Sequence, residues 1–90
     1  MDIAELEIDP WIEEKLWTKH RVDVAEVEEV CFEDEDLRLE HGRAGLYLLL
    51  GRTAAGRYLA TVLAPKGSGR WKIVTARDMT DTERRRYRRS

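Results

Sequence analysis

Apolar and polar positions along this chain follow three successive patterns. Residues 3–8, IAELEI, alternate only approximately, which fits a short strand or an unstructured lead-in. Asp9-Pro10 predicts a helix start, because aspartate can accept the first free backbone N–H groups and proline at the first helical position gives up a donor that has no partner there. Ile12 and Leu16, with Trp17 beside them, mark the apolar stripe of a helix running to about His20, and Glu13, Glu14, Lys15 and Lys19 form its wet side. Asp23-Val24-Ala25-Glu26 has capping-box spacing, with Val22 and Val27 placed as a hydrophobic staple. A second short helix is expected to follow, turning Val24, Val27 and Val30 or Cys31 inward.

The run FEDEDLRLEHG reads as a loop leading to an edge strand, since four consecutive acids repel one another inside a packed element. From Gly45 the period becomes extended. LYLLLGR, RYLATVLA and RWKIVTAR, separated by TAAG and PKGSG, describe three strands of an antiparallel meander. Leu46, Leu48 and Leu50 fall on one face of the first of these and Tyr47 and Leu49 on the other, so helices from both ends of the chain can cover the sheet. Thr80-Asp81-Thr82-Glu83 is a second capping box, opening a final helix at about Asp81. On that helix Glu83 and Tyr87 share a side, while Arg84 with Arg88 and Arg85 with Arg89 form basic stripes on neighbouring faces. The predicted fold class is α+β: two N-terminal helices, a three- to four-stranded antiparallel sheet and a C-terminal helix, as one domain over residues 1–90.

Composition narrows the function. Charged residues make up 38% of the chain, mean hydropathy is −0.58, and no apolar run reaches the ~18 residues of a membrane span. The acidic start MDIAELEID lacks the positive charge and long apolar stretch of a secretory signal, so a soluble, cytoplasmic protein is expected, with no membrane partner. One cysteine and two histidines give no metal-ligand spacing, and no cofactor is expected. The net charge of −2 hides an asymmetry: residues 1–40 hold fifteen Asp or Glu against four Lys or Arg, whereas residues 52–90 hold three against eleven. A face gathering those arginines attracts phosphate. Their ordinary role is to keep a helix solvated.

The tail IVTARDMTDTERRRY, with WIEEKLWTKHRVDVAEVEEVCFED and the strands between, resembles the BrnT family of toxins from BrnT/BrnA type II toxin-antitoxin systems. The resemblance spans nearly the whole chain. Its most specific pieces are the strand ending in Ala76-Arg77 followed by Glu83-Arg84 and Tyr87, and Lys19-His20 followed by a short helix. It implies a small RelE-like ribonuclease that cleaves RNA to inhibit translation, neutralised by a BrnA-like antitoxin and touching DNA only through that antitoxin. Two positions depart from the family. Its usual Lys-His-Gly is Lys19-His20-Arg21 here, so that either Arg21 takes the left-handed conformation a glycine would take, or the turn differs. The family's aromatic and Trp-Asp before the helix are replaced by LEIDPW, with Trp11 after the aspartate.

Metal-free RNA cleavage needs a base for the 2′-hydroxyl proton, a cation for the charge on phosphorus and an acid for the departing 5′-oxygen. His20 is a candidate base or acid, with Glu83 as the alternative base, and each has a structural role open to it: His20 as a dipole partner at a helix end, Glu83 as a cap. Arg77 and Arg52 are candidates to clamp a phosphate through paired hydrogen bonds, and Tyr87 to stack on a base, donate a proton or fill the core. Lys19, Arg84 and Arg88 complete the expected substrate-binding set. Trp11, Trp17 and Trp71 are expected mostly in the core, with at most one at the rim stacking on a nucleobase. PKGSG joins two strands, with no helix after it to make a phosphate loop, and is expected as a mobile hairpin loop brushing the RNA backbone. Cys31 is expected as a small buried hydrophobe. On this reading the guanidinium groups converge on one cleft where the last strand meets the final helix. The alternative is a non-catalytic nucleic-acid-binding or protein-interaction module on the same scaffold.

Overall fold

The computed structural model describes residues 3–89. Its elements run β1 (Glu5–Glu7), α1 (Pro10–His20), α2 (Val24–Glu33), β2 (Arg38–His41), β3 (Tyr47–Arg52), β4 (Tyr58–Gly67), β5 (Arg70–Asp78) and α3 (Asp81–Arg88). Strands 2 to 5 form the expected antiparallel succession, and the sheet order is β1-β5-β4-β3-β2. The α+β class stands, but the sheet has five strands and is mixed rather than purely antiparallel. The lead-in IAELEI is the extra strand: β1 lies parallel to β5, and the N–H groups of Ala4 and Glu5 reach the Gly69 carbonyl at 2.8 and 3.2 Å. A three-residue strand is too short to stand alone and takes the free edge of β5, where Glu7 also meets Arg70 at 3.5 Å.

Both faces of the sheet are covered, as the run of leucines in β3 requires. On one face Leu49, Leu59, Leu63, Trp71, Ile73 and Ala76 pack with Leu16 of α1 and Val27, Val30 and Cys31 of α2. On the other, Leu50 and Ala60 pack with Met79 and Tyr87, flanked by Leu48 and Tyr58. Helices α1 and α2 therefore sit on the opposite side of the sheet from α3. Among the described residues no helix is long and apolar enough to cross a membrane.

The second helix begins as its capping box predicts. Asp23 accepts the Ala25 N–H at 2.9 Å, Glu26 reaches back to the Asp23 N–H at 3.0 Å, and the staple residues Val22 and Val27 are both buried. The first helix begins differently from expectation. The Asp9 side chain caps nothing; it is drawn to Lys72 Nζ at 2.6 Å, and the Asp9 carbonyl alone accepts the Ile12 and Glu13 N–H groups. At the other end Arg21 adopts the left-handed conformation (φ 53°, ψ 37°) in place of glycine. The N–H groups of Arg21 and Val22 close onto the Trp17 and Leu16 carbonyls, and the Arg21 guanidinium lies 5.4 Å from the centre of the Trp17 ring.

Two further expectations are corrected. Only Trp71 of the three tryptophans is in the core; Trp11 is 66% exposed and Trp17 51%, because each neighbours the Ile12/Leu16 stripe and is rotated about 100° off it. PKGSG is not a loop of five residues. Strand β4 continues through Pro65, Lys66 and Gly67 with a bulge, leaving Ser68 and Gly69, both at positive φ, as a two-residue hairpin turn.

Where α2 crosses β3, Gly51 leaves no room for a side chain: an added Cβ would lie 2.7 Å from Val30 Cβ and 3.0 Å from Leu37 Cδ1. Gly51→Ala is expected to lower stability by ~1–3 kcal/mol, measured by urea unfolding, as for other over-packed core sites. Arg21→Gly is expected to move the other way. It releases ~1 kcal/mol of left-handed strain and loses a smaller exposed cation–π contact, so the midpoint should rise by the equivalent of ~0.5 kcal/mol; a lower midpoint would show that the stacking dominates.

Candidate functional site

Helix α3 is pinned to the sheet at its first turn. Thr80 Oγ1 accepts the Glu83 N–H at 3.2 Å and Glu83 Oε1 accepts the Thr80 N–H at 2.9 Å, completing the capping box. Arg77, at the end of β5, donates to both carboxylate oxygens of Glu83 at 2.7 and 2.9 Å. This fork, together with the Thr80 N–H, holds the buried Glu83 carboxyl below the usual carboxylate range. Such a carboxylate has little affinity for a proton, so the geometry suits an anchor and not the alternative general base. The same contact occupies the face of Arg77 that would clamp a phosphate.

Four residues further on, Tyr87 is buried. Its hydroxyl donates to Asp34 Oδ2 at 2.7 Å, and the same oxygen accepts the Arg52 N–H at 2.9 Å. Burial pushes the Tyr87 phenol well above its ordinary value, and the neighbouring Asp34 carboxylate adds to the effect. Tyr87 thus stands as core filler with a tethered hydroxyl, tying α3 to the acidic turn after α2. It is neither a stacking surface nor an open proton donor. Beside Tyr87 on the helix, Arg86 donates to Glu40 at 3.0–3.2 Å and Arg38 to the same carboxylate at 2.7 Å. Between these ion pairs and the sheet lies a groove of about 640 Å³, lined by Leu46, Leu48, Val62, Arg77, Glu83 and Arg86.

The expected substrate-binding arginines gather on the other flank of α3. Arg52, Arg84 and Arg88 place their guanidinium carbons 5.5, 4.2 and 5.6 Å from the centre of the Tyr58 ring. Arg88 Nη2 also donates to the Tyr58 hydroxyl at 3.4 Å. That hydrogen bond, with the positive charges of Arg88 and Arg52, lowers the Tyr58 phenol below its ordinary value. Among the described residues these three arginines form no ion pair, in contrast to Arg38, Arg57, Arg70, Arg77 and Arg86. Tyr58 itself escaped the sequence reading, which treated it as one residue of a strand. Its signal was the hairpin: Arg52 and Tyr58 are directly paired across β3 and β4, and residues paired in this way share a face.

His20 and Lys19 close α1 on the opposite side of the sheet, so folding does not assemble the expected His20, Arg77, Glu83 and Tyr87 into one constellation. The His20 carbonyl accepts from Arg57 Nη2 at 2.9 Å. Arg57 also donates to the Arg21 carbonyl, Glu26 and Asp78 at 2.6, 3.0 and 2.8 Å, joining the end of α1, the start of α2 and the end of β5. The convergence of guanidinium groups on one cleft is therefore partial. Arg77 and Arg86 are engaged by carboxylates, and Arg52, Arg84 and Arg88 crowd a tyrosine.

Among the described residues no group of three His, Cys, Asp or Glu is placed to hold a metal ion. Cys31 is in the core, where burial pushes its thiol up to about 11.

No family model matches the chain, and no curated protein matches it. Among solved structures it is similar to the Brucella abortus ribonuclease toxin BrnT, with a TM-score of 0.70 at 16% identity, over 86% of this chain and 97% of that one. The fold is that of BrnT. At this identity the correspondence lies in the arrangement of elements.

The Arg77–Glu83 tie gives an acid-sensitive α3. Glu83 has a depressed value in the folded state, so its contribution is complete above the unfolded value of ~4.3 and is lost as pH falls from there through the folded value. Arg77→Ala is expected to cost ~1–3 kcal/mol at pH 7 by leaving Glu83 short of partners, and to flatten the acid limb of the stability profile. Urea unfolding at a series of pH values checks both; an unchanged acid limb would show that the pair does not anchor the helix.

Proposed function

We propose that this protein is a metal-independent endoribonuclease toxin of a type II toxin-antitoxin system. In this reading it is a single BrnT-like domain acting in the cytoplasm, cleaving RNA to inhibit translation and held in check by a BrnA-like antitoxin. The observation that carries the reading is the BrnT-like fold bearing a cluster of arginines without carboxylate partners beside its C-terminal helix. Arg52, Arg84 and Arg88 bind the RNA backbone, because a planar guanidinium matches the two free oxygens of a phosphodiester. Arg77 and Glu83 hold α3, and Tyr87 supports it from beneath. His20 is the proton-transfer candidate, with Lys19 a second cation beside it, and RNA engaging both regions passes around the end of the sheet. The antitoxin covers the basic flank of α3, and contact with DNA runs through it.

A non-catalytic binding module on the same scaffold is the second reading. It is favoured by the saturation of Glu83 and by the hydrogen bond that commits the Tyr87 hydroxyl to Asp34.

Incubation of the purified protein with RNA in excess chelator separates the two. Cleavage by the wild type, reduced ~100-fold or more by His20→Ala without loss of RNA affinity, is the expected result for a proton-transfer residue. Intact RNA with retained binding would establish the binding module instead.

A further inference from the structure

The grouping of Arg52, Arg84 and Arg88 is unusual in what holds it. Three like charges from β3 and α3 surround one side chain, and among the described residues none has a carboxylate partner. Arg52 also borders a cleft with Glu29, Glu33, Asp34, Glu35 and Asp36, but none of these described residues pairs with its guanidinium, and the half-buried Asp34 already accepts the Tyr87 hydroxyl and the backbone N–H of Arg52. What faces the guanidinium groups is the phenol of Tyr58. Its ring is fixed from the core side by Tyr87, edge-on with centroids 5.8 Å apart at 83°, and the Arg84 guanidinium lies over it. The ring's electron-rich face and the hydroxyl oxygen offset part of the repulsion among the arginines, but neither carries a full negative charge. The ring is also already occupied, so it is not a platform for a nucleobase. An anion with several acceptor oxygens completes the arrangement.

We propose that Tyr58 is the organising centre of a phosphodiester-binding subsite, in which Arg52, Arg84 and Arg88 grip one backbone phosphate of single-stranded RNA beside the phenol hydroxyl. The proposal rests on the RNA-directed reading above and deepens it by fixing which flank of α3 takes the strand and which residue sets the spacing. Tyr58 is a positioning residue here. It touches the three cations, holds Arg88 by a hydrogen bond, and keeps the guanidinium groups from spreading into solvent. Among the described residues the other basic stripe of α3, Arg85 and Arg89, has no such support: Arg85 reaches Thr82, at 3.2 Å, and Arg89 closes the helix with its backbone N–H. The subsite therefore predicts an inequality between two pairs of arginines of identical charge on one helix.

The test uses the full chain and a fluorescein-labelled 2′-O-methyl oligonucleotide, which cannot be cleaved, with affinity read by anisotropy in excess chelator over a range of salt. Arg84→Gln/Arg88→Gln is expected to weaken binding at least about tenfold, the loss of one or two charge-assisted hydrogen bonds, whereas Arg85→Gln/Arg89→Gln should change it no more than about threefold. Tyr58→Leu should weaken binding and lower the salt slope by ~0.7, the value for one phosphate contact, and Tyr58→Phe should recover most of the affinity by restoring the ring. Equal losses from the two arginine pairs would overturn the subsite in favour of diffuse attraction, and that comparison holds even if Tyr58→Leu fails to fold. Unmodified RNA distinguishes the two levels of the reading. Cleavage with equal losses sinks the subsite alone; binding with the predicted inequality but no cleavage sinks the ribonuclease and leaves the subsite; no binding by the wild type sinks both.

Discussion

The contact on which the working surface depends is the fork of Arg77 on Glu83. Glu83 closes the capping box with Thr80 and at the same time receives two hydrogen bonds from the end of β5, so the position and the rotation of α3 are fixed in its first turn. Everything further along the helix follows from 3.6 residues per turn. With Glu83 held against the sheet, Tyr87 must face inward, and it does, onto Tyr58 and Asp34. Arg84 and Arg88, one residue on from each, turn to the Tyr58 flank, and Arg86 turns to Glu40 on the other. Rotating the helix by one residue would disperse the cluster.

The charge asymmetry of the sequence has a related outcome. Acids crowd the first half of the chain and arginines the second, yet folding pairs much of one with the other: Glu7 with Arg70, Asp9 with Lys72, Glu26 with Arg57, and Glu40 with Arg86. The exposed Glu7–Arg70 pair contributes little to stability, ~0–1 kcal/mol, while the others, half-buried, also set register and orientation. Arg57 is the clearest case, gathering two carbonyls and two carboxylates from three elements around one guanidinium. The arginines outside these pairs include the three around Tyr58.

Local features were legible because their causes are local. Both capping boxes, the inward Val27, Val30 and Cys31 of α2 and the two-sided strand β3 depend on spacing within a few residues, and each forms as the pattern requires, whereas Val24 stays half-buried outside the core. Where a residue could choose between a local and a distant partner, the pattern misled. Asp9 left its capping position for Lys72, and Glu83 kept its cap while also taking Arg77 as a second partner. The tryptophans were misplaced for a different reason: Trp11 and Trp17 are hydrophobic by type, but their positions on α1 lie off the stripe that Ile12 and Leu16 set.

The sequence by itself determined the elements, their order, the α+β class and the presence of a basic final helix, since hydrophobic period, turn residues and caps act over one or two turns of chain. Only tertiary structure decided that His20 and Arg77 lie on opposite sides of the sheet, that a three-residue strand closes its edge, and that Tyr58 collects three arginines. Those outcomes depend on which face each strand and helix turns toward its neighbours. That choice is made by burying apolar area and matching charge across the whole chain, over separations that no local pattern spans.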